Sequence, residues 1–368
     1  MIMKKKKVIS LRATGEDACF VASNSANGFH SYYDECFNDE DIQRVFVIKG
    51  GPGTGKSRFM REVSDCAAAH GWRRQMIYCS SDAESLDGVV LRKGTRSIAL
   101  LDGTAPHLYE PKSPGVREDL INLGDFWDGE RLRERACEIQ RWQKEKLTGY
   151  RMAYRYLSAY GAVFQSRAEK LLPFVRMKAI SDCARRLMLA VPNGEGFLCK
   201  TALIGSVGMG GEVRFDTYAA QARQLYLIGD CRGIGAYLMQ ELYRTAKEKQ
   251  LRIRISRDPI LPDVIDGLFL TESGVAFVVG QEETCPYPHH SISMRRFLRV
   301  GELKDVRGSV RFDQRMMDAL LGETLVQMQN VRRAHFEMEQ IYSSAMDFEA
   351  KENFTKKFCN RLFDLQNS

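Results

Sequence analysis

The run from Arg44 to Ser57 constrains this chain more than any other stretch. Val45-Phe46-Val47-Ile48 is β-branched and aromatic and reads as a buried strand. Lys49-Gly50-Gly51-Pro52-Gly53-Thr54 reads as a glycine-rich turn, and Gly55-Lys56-Ser57-Arg58 opens a helix. Gly50, Gly55, Lys56 and Ser57 fit the phosphate-loop pattern G-x-x-x-x-G-K-[ST]. The chemistry explains the residue types. Glycines let the backbone curl so that N–H donors converge on an anion, and a helix N-terminus turns further donors the same way. Lys56 supplies mobile positive charge for the β- and γ-phosphates, and Ser57 offers a hydroxyl to Mg²⁺. Residues Gly50, Gly51, Pro52, Gly53, Thr54, Gly55, Lys56, Ser57 and Arg58 are therefore the expected nucleotide contacts. Downstream, Phe59, Val63 and Ala67 recur at helical spacing before Gly71 stops the helix.

Around this run the strand signals continue. Ala18 to Ala22 reads as a strand, followed by a turn at Asn27-Gly28, and Gln75 to Cys79 as another. Ile98-Ala99-Leu100-Leu101 is a buried strand ending in Asp102, the expected form of a carboxylate that holds the Mg²⁺ shell. Ser57 and Asp102 are thus the expected metal ligands, and Lys56 and Asp102 the expected catalytic groups. From about residue 125 to 190 glycine becomes rare, and charged residues alternate with Leu132, Ile139, Trp142, Met152 and Leu157. That pattern predicts a long amphipathic helical arm standing out from the sheet. Its arginines (Arg131, Arg133, Arg135, Arg141, Arg151, Arg155) suit a solvated face, a grip on an acidic partner or a lid.

The rest of the chain replays this order at a nearly constant offset. Gly53 and Gly55 correspond to Gly233 and Gly235, Asp82 to Asp258, Asp87-Gly88 to Asp266-Gly267, and Leu101-Asp102-Gly103 to Val278-Val279-Gly280. A second arm is expected from about 312 to 366. In the second half Ala236 stands for Lys56, Tyr237 for Ser57 and Val279 for Asp102, so the fold is kept and the phosphate chemistry lost. Asp230 lies at the mouth of the second loop, where its charge would repel a phosphate. Arg232 is placed to offset it. Features present in both halves, such as Asp82, Asp87-Gly88 and the pair Pro106-His107 with Pro288-His289, read as architectural. Glu84 has no acidic counterpart, since Ile260 falls in its place, which makes it the candidate water-activating base. The expected fold is α/β: a duplicated P-loop NTPase fold with two mainly parallel sheets flanked by helices, divided into residues 1–190 and 191–368.

Composition excludes several classes. The chain has 368 residues, 44% hydrophobic and 27% charged, with no apolar run near the length that spans a bilayer and no apolar core for a signal peptide. Its ten cysteines contain no C-x-x-C pair, which predicts reduced thiols in the cytoplasm. The net charge of +7 is dispersed and does not point to nucleic acid.

The chain resembles an uncharacterised bacterial family of tandem P-loop ATPases over almost its whole length. The resemblance rests on Gly28-Phe29, Ile48 to Ser57, Cys79-Ser80-Ser81-Asp82, Ser85-Leu86-Asp87-Gly88, Leu101-Asp102-Gly103-Thr104-Ala105-Pro106-His107 and Asn122 to Trp127. It implies a nucleoside triphosphatase using ATP and Mg²⁺. Members of that family often keep an intact second loop, and this chain departs there. No N-K-x-D guanine-selecting motif and no L-S-G-G-Q-like stretch occur, and Gly103 rather than an acid follows Asp102. The expected activity is ATP hydrolysis coupled to movement of the arms on a macromolecular target. A small-molecule kinase and a nucleotide-gated scaffold are the alternatives.

Overall fold

The computed structural model describes residues 9–11, 17–38, 41–105, 109–230 and 233–363. In the first half, β1 (Asp17–Phe20), β2 (Arg44–Lys49), β3 (Arg73–Tyr78), β4 (Leu86–Lys93), β5 (Arg96–Asp102) and β6 (Glu118–Asn122) form one six-stranded sheet. Its order is β1-β3-β4-β5-β2-β6. In the second half, β7 (Leu198–Thr201), β8 (Gln224–Gly229), β9 (Arg252–Arg257), β10 (Ile265–Leu270), β11 (Val275–Val279) and β12 (His290–Ser293) form another, in the order β7-β9-β10-β11-β8-β12. The two sheets match strand for strand. Each also shifts register at one place, between Ile77 and Tyr78 and between Ser256 and Arg257.

The sheets are mixed: three of the five pairings in each are parallel, and one strand is reversed. β4 runs against both β3 and β5, and β10 against β9 and β11. The reason is local. Only Gly94 (φ +58°) and Thr95 separate β4 from β5, and so short a link can only make a hairpin. The parallel strands need crossovers, and a helix makes the one from β2 to β3. α1 (Lys56–Ala69) buries Phe59, Met60, Val63 and Ala67 on one face of the first sheet. It ends in a Schellman turn: Gly71 takes φ +76°, its amide bonds Ala68 O, and the Trp72 amide bonds Ala67 O. In the second half the crossover helix (Gly235–Glu248) ends the same way, with Gln250 at φ +57° in the glycine's place.

The arms are long helices, α2 (Ala136–Leu171) and α5 (Arg307–Ser344), with α3 (Met177–Leu187) after the first, the second crossover helix as α4 (Gly235–Glu248), and α6 (Phe348–Phe363) after the second. They do not stand out separately. α2 and α5 lie antiparallel along each other, with Lys146 beside His335, Gly149 beside Val331 and Lys170 bonded to Asp313. At 36 residues, α2 extends about 54 Å. Val310, Met317, Thr324, Val331 and Met338 are buried at seven-residue intervals on α5, the repeat that winds helices into a coiled coil. Gly149 lets α5 approach, since a Cβ there would come within 2.7 Å of Val331. The six arm arginines stay exposed, as both a solvated face and a grip on an acidic partner require.

A division at residue 190 does not separate two cores, because the halves exchange their last helices. Ile180, Cys183 and Ala184 of α3 pack with Leu238, Met239 and Leu242 in the second core. Phe358, Cys359, Leu362 and Phe363 of α6 pack with Phe46, Phe59 and Val63 in the first. Matching β-bridges mark the two crossings, Trp127 with Met346 and Val175 with Leu298. No helix among the described residues is long and apolar enough to cross a membrane.

Candidate functional site

The turn after β2 leads into α1 as the sequence predicts. Gly53 and Gly55 hold φ +70° and +80°, left-handed values that favour glycine, and Gly55 is the N-cap of α1. That helix start has no side-chain cap and no acidic residue in its first turn, so unsatisfied N–H donors and the positive dipole end remain on offer. Lys56 is not directed into solvent. Its side chain is 12% exposed and its ammonium donates to Gly50 O and Gly51 O, both at 2.9 Å. It lies 3.6 Å from the Asp102 carboxylate. The lysine thus rests on the loop's own carbonyls.

Asp102 ends β5 where the register pairs it with Ile48, and its Oδ1 accepts from the Thr104 amide at 2.8 Å. Burial pushes its carboxyl up, and the Lys56 ammonium opposes that shift. Ser57 Oγ accepts from the Leu86 amide at 3.0 Å. These hard oxygens fit Mg²⁺, which is usually held by one or two carboxylates together with substrate phosphates and water. No group of three or more His, Cys, Asp or Glu side chains suited to a metal occurs among the described residues, so a cation here would depend on the phosphates.

The loop opens into a cavity of about 460 Å³, within the ordinary range for small-molecule sites. Its walls hold Gly51 to Arg58, Asp82, Asp87, Asp102, Thr104, Lys146, Tyr150, His335, Glu339, Ser343 and Phe348. Four carboxylates face Lys56, Arg58 and Lys146. A bare polyphosphate would be opposed there, whereas its magnesium complex would be met by both signs of charge. Glu84 is exposed and is not part of this lining; its carbonyl accepts from Arg61. Asp82 does line it, with burial raising its carboxyl. Its Oδ1 accepts from the Glu84 amide, and Asp258 makes the same turn with the Ile260 amide, so this part of Asp82's role is architectural. The Asn27-Gly28 turn joins two short strands, and Asn24 beside it is buried and bonded to Val207 O and Tyr154.

The roof comes from both arms, and sequence reasoning missed it. Lys146 and Tyr150 belong to α2, and His335, Glu339 and Ser343 to α5. The loop glycines meet the second half directly. A Cβ at Gly51 would strike Tyr342, one at Gly53 would come within 2.5 Å of Glu339 O, and Gly55 faces Phe348 and Lys351. Ser343 Oγ donates to Gly53 O at 3.1 Å. No local motif carries these residues; the only signal was that both arms have one face to bury.

The second loop is arranged differently. Val279 occupies the register position of Asp102, opposite Ile228, and Tyr237 packs against the second core. Asp230 does more than repel an anion. Its carboxylate accepts from the Gly233 and Gly235 amides, both at 2.7 Å, and so takes donors that a phosphate would need. Phe164 and the buried Arg167 of α2 pack against Gly233, as α5 packs against Gly53. Arg232, Pro106 and His107 lie outside the described residues. A larger cavity, about 570 Å³, opens beside β8 and β11 and is lined by Leu225, Leu227, Val278, Tyr160 and Asp258. No described residue of either glycine-rich loop lines it, whereas Lys56, Ser57 and Asp102 line the smaller cavity. No disulfide joins the nine described cysteines to one another. Comparison with family models, curated proteins and solved structures returns no match for this chain.

Proposed function

We propose that this chain is a P-loop ATPase of tandem architecture with one working site, binding Mg-ATP at Gly50 to Arg58 and coupling hydrolysis to movement of its paired arms. The observation that carries the reading is the convergence of an uncapped helix start, Lys56, Ser57 and Asp102 on one cavity. The loop amides and Lys56 would hold the phosphates, with Lys56 leaving the Gly50 and Gly51 carbonyls to do so. Mg²⁺ bound through Ser57 and Asp102 would neutralise charge on the β- and γ-phosphates. Contacts from Tyr342, Glu339 and Ser343 on the loop give a nucleotide-dependent shift of the glycines a direct route into α5. The target of the arms is a macromolecule, in the same reading.

Asp102→Asn separates binding from turnover. It is expected to lower Mg²⁺-dependent phosphate release by roughly a hundredfold while changing affinity for a slowly hydrolysed ATP analogue far less. Equal losses in both would remove Asp102 from the catalytic role. The exposure of Glu84 favours a second reading, a nucleotide-gated scaffold with little turnover. Wild-type protein that binds the analogue and releases no phosphate would select it.

A further inference from the structure

The cavity contains a cation that the loop motif does not account for. Lys146 sits on α2, nearly a hundred residues beyond the loop in sequence, yet its side chain lines the same cavity as Lys56. Its one hydrogen-bond partner among the described residues is His335 Nδ1 on α5, at 3.3 Å. His335 Nε2 in turn lies 3.4 Å from the Glu339 carboxylate, which also lines the cavity. An ammonium has three donors, so Lys146 holds one bond across the arms and keeps two donors to offer. Burial, and then the neighbouring Lys56 charge, hold its pKa below the ordinary lysine range. Two lysine ammoniums facing one cavity repel each other until an anion comes between them.

We propose that Lys146 is the arm's ligand for the terminal phosphate of the nucleotide, and that reaching it exchanges the Lys146–His335 bond between the arms. The inference rests on the reading of the cavity as a triphosphate site and names the residue by which that site tells ATP from ADP. The loop motif supplies the orientation. Its amides serve the α- and β-phosphates and its lysine the β and γ, so the outer end of the chain points toward the roof, where Lys146 hangs. In the absence of a terminal phosphate Lys146 stays with His335 and ties α2 to α5. With one present, a charge-assisted bond to phosphate replaces a bond to a neutral ring or a shared proton, the stronger interaction of the two. His335 and Glu339 are then left to each other, and the contact between the arms changes one turn from Ser343, which holds Gly53.

The test is calorimetric titration of the full chain with Mg²⁺ and either a slowly hydrolysed ATP analogue or ADP, for wild type, Lys146→Met and Lys146→Arg. Lys146→Met keeps the apolar stem, and is expected to weaken the analogue about tenfold or more while ADP changes less than about threefold. Lys146→Arg keeps the charge and is expected to retain most of the preference. ADP affinity doubles as the control for folding. Wild type that binds neither nucleotide removes the triphosphate reading and this assignment with it. Wild type that binds both, with an unchanged analogue-to-ADP ratio in Lys146→Met, overturns the assignment of Lys146 alone. A parallel loss of both ligands in Lys146→Met with a normal melting curve also overturns it, since that outcome describes a general cation rather than a reader of the terminal phosphate.

Discussion

Lys56→Ala is expected to weaken binding of an ATP analogue by about a hundredfold or more, beyond the range of ordinary titration. The size of the effect follows from position. The ammonium lies beside the uncapped start of α1 and beside Asp102, whereas Arg58, the other cation of this stretch, is paired with Glu62 and Glu352. The variant will not be silent in the empty protein. Lys56 ties Gly50 O and Gly51 O together, so its loss should cost about 1 kcal/mol of stability from those bonds. Asp102 also loses its nearest cation, which leaves a buried carboxylate less compensated. The melting temperature should therefore fall slightly while the cores stay intact. Near-native affinity in Lys56→Ala would show that the glycine-rich loop is not the nucleotide site.

Phe358→Ala is expected to destabilise the first half, not the second from which it comes in sequence. Phe358 is 4% exposed and stacks edge-on against Phe46 of β2, 5.0 Å between ring centres, with Phe59 of α1 at 5.4 Å. Deleting a buried ring from such a core costs about 3–5 kcal/mol, because the hole does not close fully around the missing atoms. Amide hydrogen exchange checks the location. Protection should fall first in β2, β5 and α1, while β8, β11 and α4 keep theirs. If the second sheet loses protection instead, α6 does not pack where this account puts it. The exchange of α3 and α6 anchors each half's last helix in the opposite core.

Much of the candidate site was legible because its signals are local. A buried strand, a glycine turn and a helix start occupy consecutive residues, and Asp102 is announced by the apolar run before it. The second half was legible for the same reason, through losses at single positions: Val279 stands in the register place of Asp102, as the alignment of the halves implied. What stayed hidden depends on distance. An amphipathic helix states that one face will be buried, but not against which core, so α3 and α6 were assigned to their own halves. The reversal of β4 rests on the Gly94-Thr95 turn, a short polar signal between two apolar runs. Asp230 illustrates a further limit. Charge at a loop mouth reads as repulsion, while the carboxylate's actual bonds to the Gly233 and Gly235 amides depend on a backbone curl that sequence does not display. Glu84 was preferred to Asp82 for lacking a counterpart, yet Asp82 is the one that lines the cavity. Lys146, His335 and Glu339 reach the cavity only because the arms pair.

The proposed function requires one triphosphate site per chain, in the first half, with the second loop closed by its own aspartate. Calorimetric titration of the wild-type chain with Mg²⁺ and a slowly hydrolysed ATP analogue measures it directly. The account predicts a stoichiometry of one. Asp230→Ala, which frees the second loop's amides without adding a lysine or a metal ligand, should leave that number unchanged. Two tight sites in the wild type, or a single site that survives Lys56→Ala, would contradict it.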